Sequence, residues 1–541
     1  MLNRKWVKWL AWMIVAFGLA WLSTYPAFSG HMVDVSADGR IHLARIESIY
    51  DSLKMMHQPG LVSFVGLNQI GAIVNAMYPY LTLLIFVVPK FIIADNVIAL
   101  MIGFIILNAV TILTAYLLMR HFTKSEWLRW LGVIVYQFNA YHFFVLYSRM
   151  AMGEAFGYAF MPLIVLGMLQ IWQHQRYGWL TLAVGMSLLT NSHVLSLMLG
   201  FVVVVVMQMV RYLKKKFSGR ELLDLIKAGV LTVGLSLYSL DNIISTMLSQ
   251  PLRAPFQAIK ALRLNDSWNA ILTNSFAEHA TLWNIGLVET GLLLGLGLFL
   301  FLTPKPYRNP WILVAIVILV GSSTLIPWNA NSTMPGISTI QFLGRLLVFV
   351  ALFLAIGTVS HFEQQGLPSL KTIGVLMVLI IAVPLFGISS FHESTMADNG
   401  TYHEKVTAKN YEKVLQNDSP LSDYWPVVKS GDNESPLVLD ANEFKVVDAT
   451  GQSLTLAKQA KKAEQVQLPV ARYKRIDYQL SVNGQTQPIH GKYQLTAQLK
   501  KGLNTIKVSA GVSVREHVTM VITFGLWLLL VVFGVYRLVK K

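Results

Sequence analysis

Residues 96–120 read NVIALMIGFIILNAVTILTAYLLMR, an apolar run that carries no charge until Arg120. As a helix it is long enough to cross the ~30 Å hydrocarbon core of a bilayer. Being apolar all round, it has no face to offer water. Eleven further apolar runs lie near residues 6–24, 129–147, 155–173, 178–192, 194–212, 225–246, 283–303, 311–328, 340–359, 371–391 and 516–537. Together they predict a mainly α fold, a polytopic helical membrane bundle of about twelve spans. Composition agrees: 54% of the 541 residues are hydrophobic, 13% are charged, and the mean hydropathy is +0.52. A chain of that make-up is dissolved in lipid over most of its length.

The formal net charge of +16 does not point to nucleic acid, because the cations gather at the ends of apolar runs. With twelve spans counted, Arg4/Lys5/Lys8, Arg120/Lys124/Arg129, Arg176, Arg211/Lys214/Lys215/Lys216/Arg220, Lys305/Arg308, Lys371 and Arg537/Lys540/Lys541 share one side. The positive-inside rule makes that side cytoplasmic. A multi-pass protein of the cell membrane with both termini in the cytoplasm is therefore expected. The run from Trp6 to Ser23 reads as a retained span rather than a cleaved signal. Cysteine is absent, which removes disulfides, thiolate metal sites and a cysteine nucleophile, and suits a bacterial envelope.

Residues 72–92 form one more apolar stretch, interrupted by Pro79, Pro89 and Lys90. Counting it as a span would place Arg120, Lys124 and Arg129 outside. A re-entrant or interfacial segment is expected, with a thirteenth span as the alternative.

Three units follow: a multispan domain over 1–391 with an outer loop at 25–95, an extracellular region over 392–515, and a last span with its tail over 516–541. Strand signals appear at 443–448, 453–456, 476–482, 485–489, 493–499 and 504–509. Tyr493, Leu495, Ala497 and Leu499 alternate as a half-buried strand requires. Asn483-Gly484 supplies a two-residue hairpin turn, in which both positions need positive φ. The expectation is a C-terminal extracytoplasmic antiparallel β-sandwich, serving either as a glycan or acceptor binder or as a structural lid.

Polar chemistry concentrates at the outer face. In the first loop stand Asp34, Asp38, Arg40, His42, Arg45 and Glu47. If 38–56 is helical, Asp38, His42 and Arg45 share a face at i, i+4 and i+7. A carboxylate there can act as a general base or hold a divalent cation, and a guanidinium can grip a phosphate. Solvated charges on an interfacial helix are the plainer reading. Arg149 and Glu154 bracket Met-Ala-Met-Gly at a helix junction, Glu289 and Arg345 fall within apolar runs, and Gln341 stands one helical turn before Arg345. Intramembrane charges are costly and face a cavity or a partner. Here that means either a phosphate grip or buried pairing that orders the bundle. His193, at the turn Asn191-Ser192-His193, reads as a substrate contact or a hydrogen-bonded turn histidine. There is no phosphate loop, dinucleotide glycine fingerprint, HExxH or serine elbow, so a cytoplasmic ATPase and a zinc protease are not supported.

Five segments in order resemble the signatures of one bacterial membrane family. They are Asp38 to Ile46 (DGRIHLARI), Tyr78 to Leu81 (YPYL), Arg149 to Glu154 (RMAMGE) running into Phe160 to Leu163 (FMPL), Asn191 to His193 (NSH), and Gln341 to Arg345 (QFLGR). The family is known as "6-pyruvoyl-tetrahydropterin synthase related, membrane domain", although nothing here resembles the soluble zinc-dependent pterin enzyme. The architecture over 1–390 resembles the GT-C superfamily of membrane glycosyltransferases and their YfhO-like relatives. That resemblance implies a polyprenyl-phosphate-linked sugar as donor and an aspartate of the first outer loop as catalytic base or metal contact. The role falls to Asp38, with Asp34 as second candidate and Mg²⁺ or Mn²⁺ as the cation such an aspartate would hold. A single acidic position stands where that superfamily shows a pair.

The expected activity is transfer of a sugar from the lipid-phosphate carrier to an envelope glycan or protein. In that scheme Asp38 is the base, His42 and Glu154 assist, Arg45, Arg149 and Arg345 hold the phosphate, and Gln341 and His193 contact substrate. A flippase for a lipid-linked precursor and a non-catalytic envelope scaffold are the rival expectations.

Overall fold

The computed structural model describes residues 4–540 except 277–278, 303–308, 329–335, 367, 398–402, 417–422, 431–432 and 438. Lys305 and Arg308, assigned above to the cytoplasmic side, lie outside the described residues. Among those described, seven helices are long and apolar enough to cross a membrane: Trp9–His31, Asn96–Phe122, Met152–Trp172, Val194–Leu213, Leu343–Gln365, Leu370–Ser394 and Val514–Arg537. Gly219–Leu235 and Leu237–Ser249, bent by 76°, make an eighth if they form one span. The chain is thus a mainly helical multi-pass membrane protein; among the described residues the helices of spanning length are fewer than the twelve spans expected.

The shortfall has a physical cause. Apolar length is not helical continuity: among the described residues Gly178–Thr190 and Pro310–Gly321 have 13 and 12 helical residues. At ~1.5 Å per residue these fall short of ~30 Å. The expected span at 129–147 is broken. Glu126–Gln137 stops at Phe138, Asn139 caps the short turn Ala140–Phe143, and a π turn covers Phe144–Ser148. Arg149 follows directly, and Met150 is left-handed at φ 50°. Single π turns are rare and tend to mark functional positions.

Residues 72–92 break as their prolines require, into the helices Val74–Met77 and Leu84–Val87 and the 3₁₀ turns Leu81–Leu83 and Val88–Phe91. The freed carbonyls of Tyr78 and Pro79 accept hydrogen bonds from Arg45 Nη2 at 2.8 and 3.2 Å.

Two helices form the interior: 89% of the residues in the most apolar stretch of Met152–Trp172 and 94% of those in Leu343–Gln365 are buried, against 11% for Val514–Arg537 on the perimeter. Small residues let the neighbours of Met152–Trp172 approach. Gly157 faces Ser196 of Val194–Leu213, and a Cβ on Gly167 would lie 2.6 Å from the backbone nitrogen of Leu182. In lipid such close packing replaces the missing hydrophobic drive. Tyr136 and Tyr158 stack at 4.3 Å, and each hydroxyl donates to the other's carbonyl at 2.7 and 2.6 Å.

The C-terminal region is antiparallel sheet. One sheet runs in the order Gln485–Gln487, Asp477–Val482, Gly502–Gly511, Ser453–Ala460, Lys445–Ala449, and Glu464–Ala471 pairs separately with Gln494–Leu499. Asn483 and Gly484 turn at φ 53° and 79° between paired strands, as their sequence requires. Leu495, Ala497 and Leu499 are buried, matching the alternation. Strand Glu464–Ala471, which was not among the expected strands, contains Pro469. It is tolerated in a strand that ladders on one side only.

The first outer loop and this region are joined. Met32–Val35 pairs antiparallel with Glu404–Thr407, and Gln452 donates to the Gln58 carbonyl. The Lys90 ammonium pairs with Glu47 and lies over the rings of Tyr50 and Tyr411 at 5.0 and 4.8 Å.

Two consequences can be measured. Gly167→Ala pushes against backbone that cannot rotate away, so it should cost about 1–3 kcal/mol, read as a lower thermal midpoint in nanodiscs; an unchanged midpoint would contradict the packing. Near the Lys90 cluster, burial first and then Glu47 raise the Asp51 carboxyl to about 6, with Lys90 opposing. The folded state therefore binds the proton more tightly than the unfolded one. Asp51 favours folding below pH ~4, and that contribution fades as pH rises through about 6. The midpoint should fall across that window in the wild type and fall less in Asp51→Asn.

Candidate active site

Three interruptions of regular structure meet at one cavity. The helix Ala37–Lys54 starts there, the chain leaves the π turn there at Arg149, and the turn Leu343–Leu346 leads there into helix Leu347–Gln365. The cavity has a volume of ≈ 510 Å³, and Asp38, His42, Arg149, Glu154, His193, Gln341 and Arg345 all line it.

Glu154 is its electrostatic centre. Oε2 accepts from Arg149 Nη1 at 3.0 Å and from Arg345 Nε at 3.1 Å, while Oε1 accepts from the Tyr141 hydroxyl. The other terminal nitrogen of Arg149, Nη2, reaches Asp38 Oδ2 at 3.0 Å. Arg345 Nη1 donates to Gln341 Oε1 at 2.8 Å and to the Ile340 carbonyl at 2.9 Å. Arg149 lies over the Trp283 ring at 4.6 Å and Arg345 over Phe342 at 5.2 Å. Aromatic faces suit guanidinium groups withdrawn from water.

The two acids differ in access. The Asp38 side chain is 40% exposed and that of Glu154 10%, so a solute in the cavity meets Asp38, while the Glu154 oxygens are taken by three donors. Gly39 permits the close approach, since a Cβ there would stand 2.8 Å from Met150 Sδ.

Helical spacing brings His42 beside Arg45, whose Nη1 lies 3.2 Å from His42 Nδ1. Because a guanidinium only donates, Nδ1 accepts and the ring proton sits on Nε2. Burial holds His42 well below the usual imidazole range, and Arg45, His193 and Arg149 lower it further. His193 is pulled to about 3, by burial first and by Arg345 next. Both rings are neutral at pH 7, and they flank Tyr78 with centroids 6.4 and 6.0 Å away.

Residues 75–407 match the family described as bacterial membrane protein YfhO. The chain belongs to that family. That match agrees with the YfhO-like part of the resemblance read from the five segments. No curated protein matches the chain. Arg149, Glu154, His193, Gln341 and Arg345 lie within the YfhO match, and Asp34, Asp38, His42 and Arg45 precede it.

Two of the expected site residues sit elsewhere. Arg45 does not line the cavity and is 2% exposed, because its guanidinium turns inward to the broken backbone at Tyr78-Pro79. Asp34 is 4% exposed and lies 2.7 Å from His392 Nδ1, tying strand Met32–Val35 to helix Leu370–Ala397. The Mg²⁺ or Mn²⁺ expected at Asp38 does not fit the donors present. Among the described residues no three His, Asp or Glu side chains gather as a metal would need, and Asp38 faces a guanidinium.

Sequence reasoning missed Tyr141, Trp283, Arg253, Asp423 and Tyr424, of which the last three line the cavity. Their sequence contexts carry no motif. Tyr78 and Phe342 sat within recognised segments without an assigned role.

Glu154→Gln leaves two buried guanidinium groups without their shared counter-charge. A loss of about 3–5 kcal/mol is expected, read as a lower thermal midpoint in nanodiscs. A wild-type midpoint would show that the pairing does not hold the site together.

Proposed function

We propose that this member of the YfhO family transfers a sugar from a polyprenyl-phosphate-linked donor to a glycan or protein acceptor of the cell envelope. The reaction takes place at the outer face, with both termini cytoplasmic and the C-terminal β-sandwich extracellular. One observation carries the reading: a single cavity joins an accessible carboxylate, two fixed guanidinium groups and an apolar flank. Val194, Leu195, Met198 and Met247 line that flank. Val194 and Met247 are themselves 40% and 61% exposed, so the wall continues onto the surface that meets lipid.

In this reading Asp38 takes the proton of the acceptor hydroxyl as its oxygen attacks the anomeric carbon. The bond from that carbon to the phosphate oxygen breaks, and the electron pair leaves with the phosphate. Fixed guanidinium groups stabilise such a developing anion without reorganising. Protonation of Asp38 loosens its hold on Arg149 Nη2, which is then free to face the departing phosphate. Glu154 acts through the arginines as a positioning residue. His42, neutral with its proton on Nε2, donates to a substrate oxygen.

Asp38→Asn keeps a hydrogen-bonding partner for Arg149 but cannot act as a base. It should lower transfer at least about 10²-fold in proteoliposomes supplied with radiolabelled lipid-linked sugar, with insertion unchanged. Full activity in this variant would remove Asp38 from the mechanism. Movement of intact lipid-sugar between leaflets without cleavage would favour a flippase instead.

A further inference from the structure

Part of the cavity wall comes from a stretch of chain remote from every recognised segment. Asp423 and Tyr424 precede the strand Val427–Ser430 and line the same cavity as Asp38 and Tyr78. They are held over it by backbone pairing with the loop that follows helix Leu237–Ser249. Tyr424 N donates to the Arg253 carbonyl and Arg253 N to the Trp425 carbonyl, both at 2.8 Å, and Leu252 bridges Pro426.

Two observations set this turn apart from a plain loop. Tyr424 has φ 64°, a left-handed conformation that a bulky residue adopts at a cost, and such strain persists where the surroundings hold it for a purpose. Its ring meets Tyr78 edge to face at 6.1 Å and 75°; of the two histidine rings beside Tyr78, His193 lies nearly parallel at 20° and His42 edge-on at 86°. Tyr78 and Tyr424 thus make an aromatic corner. Asp423 is half-buried beside it, and among the described residues nothing donates a hydrogen bond to its carboxylate.

We propose that Tyr78, Tyr424 and Asp423 form a pyranose subsite, in which the sugar ring rests its C–H face on the tyrosines and presents hydroxyl groups to Asp423. The proposal rests on the sugar-transfer reading and adds where the sugar ring lies. Its chemistry follows from the parts. Aromatic faces carry negative charge density that attracts C–H edges, and a carboxylate accepts two hydroxyl donors in shortened, charge-assisted hydrogen bonds. Burial raises the Asp423 carboxyl above its usual range, Arg253 opposes that shift and Asp38 adds to it. Hydroxyl donors would stabilise the ionised form that this setting disfavours. The subsite also supplies the second acid near Asp38 that the first outer loop lacks.

The test uses the full-length chain in lipid nanodiscs and saturation-transfer NMR with the methyl glycosides of glucose, galactose and N-acetylglucosamine. At least one should bind the wild type. Asp423→Asn should weaken it about tenfold or more. Tyr424→Gly, which removes the ring and relieves the left-handed backbone, should weaken it similarly while the thermal midpoint holds or rises. Binding unchanged in both variants, or no glycoside bound by the wild type, overturns the subsite. The two readings separate cleanly. Glycoside binding that depends on Tyr424 in a protein that never cleaves lipid-sugar keeps the subsite and rejects the transferase. Transfer indifferent to both substitutions keeps the transferase and rejects the subsite.

Discussion

Two guanidinium groups buried at the head of the inner helices need a negative partner, and Glu154 supplies one carboxylate for both. Without it Arg149 and Arg345 would repel one another in a medium that screens poorly. With it, three stretches of chain are drawn together: the turn after the π segment, the start of Met152–Trp172, and the turn before Leu347–Gln365. Glu154 sits in the first turn of its helix, where the macrodipole also favours a negative charge. Arg149, Glu154 and Arg345 of this cluster all line the cavity.

The same arrangement divides labour between acids that look alike in sequence. Glu154 is saturated by its donors and withdrawn, so its charge is committed to the fold. Asp38 shares Arg149 but keeps an exposed face, so its charge is free to respond to what enters. The asymmetry arises from the helix Ala37–Lys54 resting on the Arg149 turn through Gly39, which leaves room for contact but not for burial. Another part of the wall belongs to the C-terminal region, which reaches the cavity through backbone pairing of 251–253 with 424–427 and contributes Asp423 and Tyr424.

Much of the site was legible because its residues sit at short, regular intervals. Asp38 and His42 at i, i+4 predicted a shared face, and the structure shows one. The bracket Arg149/Glu154 and the turn from Gln341 to Arg345 each closed into a direct contact. Asn483-Gly484 announced its hairpin. Other expectations failed where an unseen partner decided the outcome. Arg45 shares the helical face of His42 yet turns to the Tyr78 and Pro79 carbonyls where the chain breaks, a demand invisible in its own segment. Asp34 is drawn to His392, 358 residues away. The twelve expected spans exceed the seven or eight helices of spanning length among the described residues, because hydropathy measures apolar length and not helical continuity, and caps, a π turn and prolines cut several runs short.

The sequence by itself determined that the chain enters a membrane many times, that a strand-rich region lies before its last helix, and which charged residues had to find partners. These follow from local quantities, namely apolar length, alternation and the expense of charge in lipid. Only the tertiary structure decided that Asp38 and Arg149, 111 residues apart, would touch, that Glu154 would meet Arg345 across 191, and that Asp423 would line the same cavity. Such meetings depend on how helices pack and loops pair over the whole molecule, and no spacing along the chain encodes them.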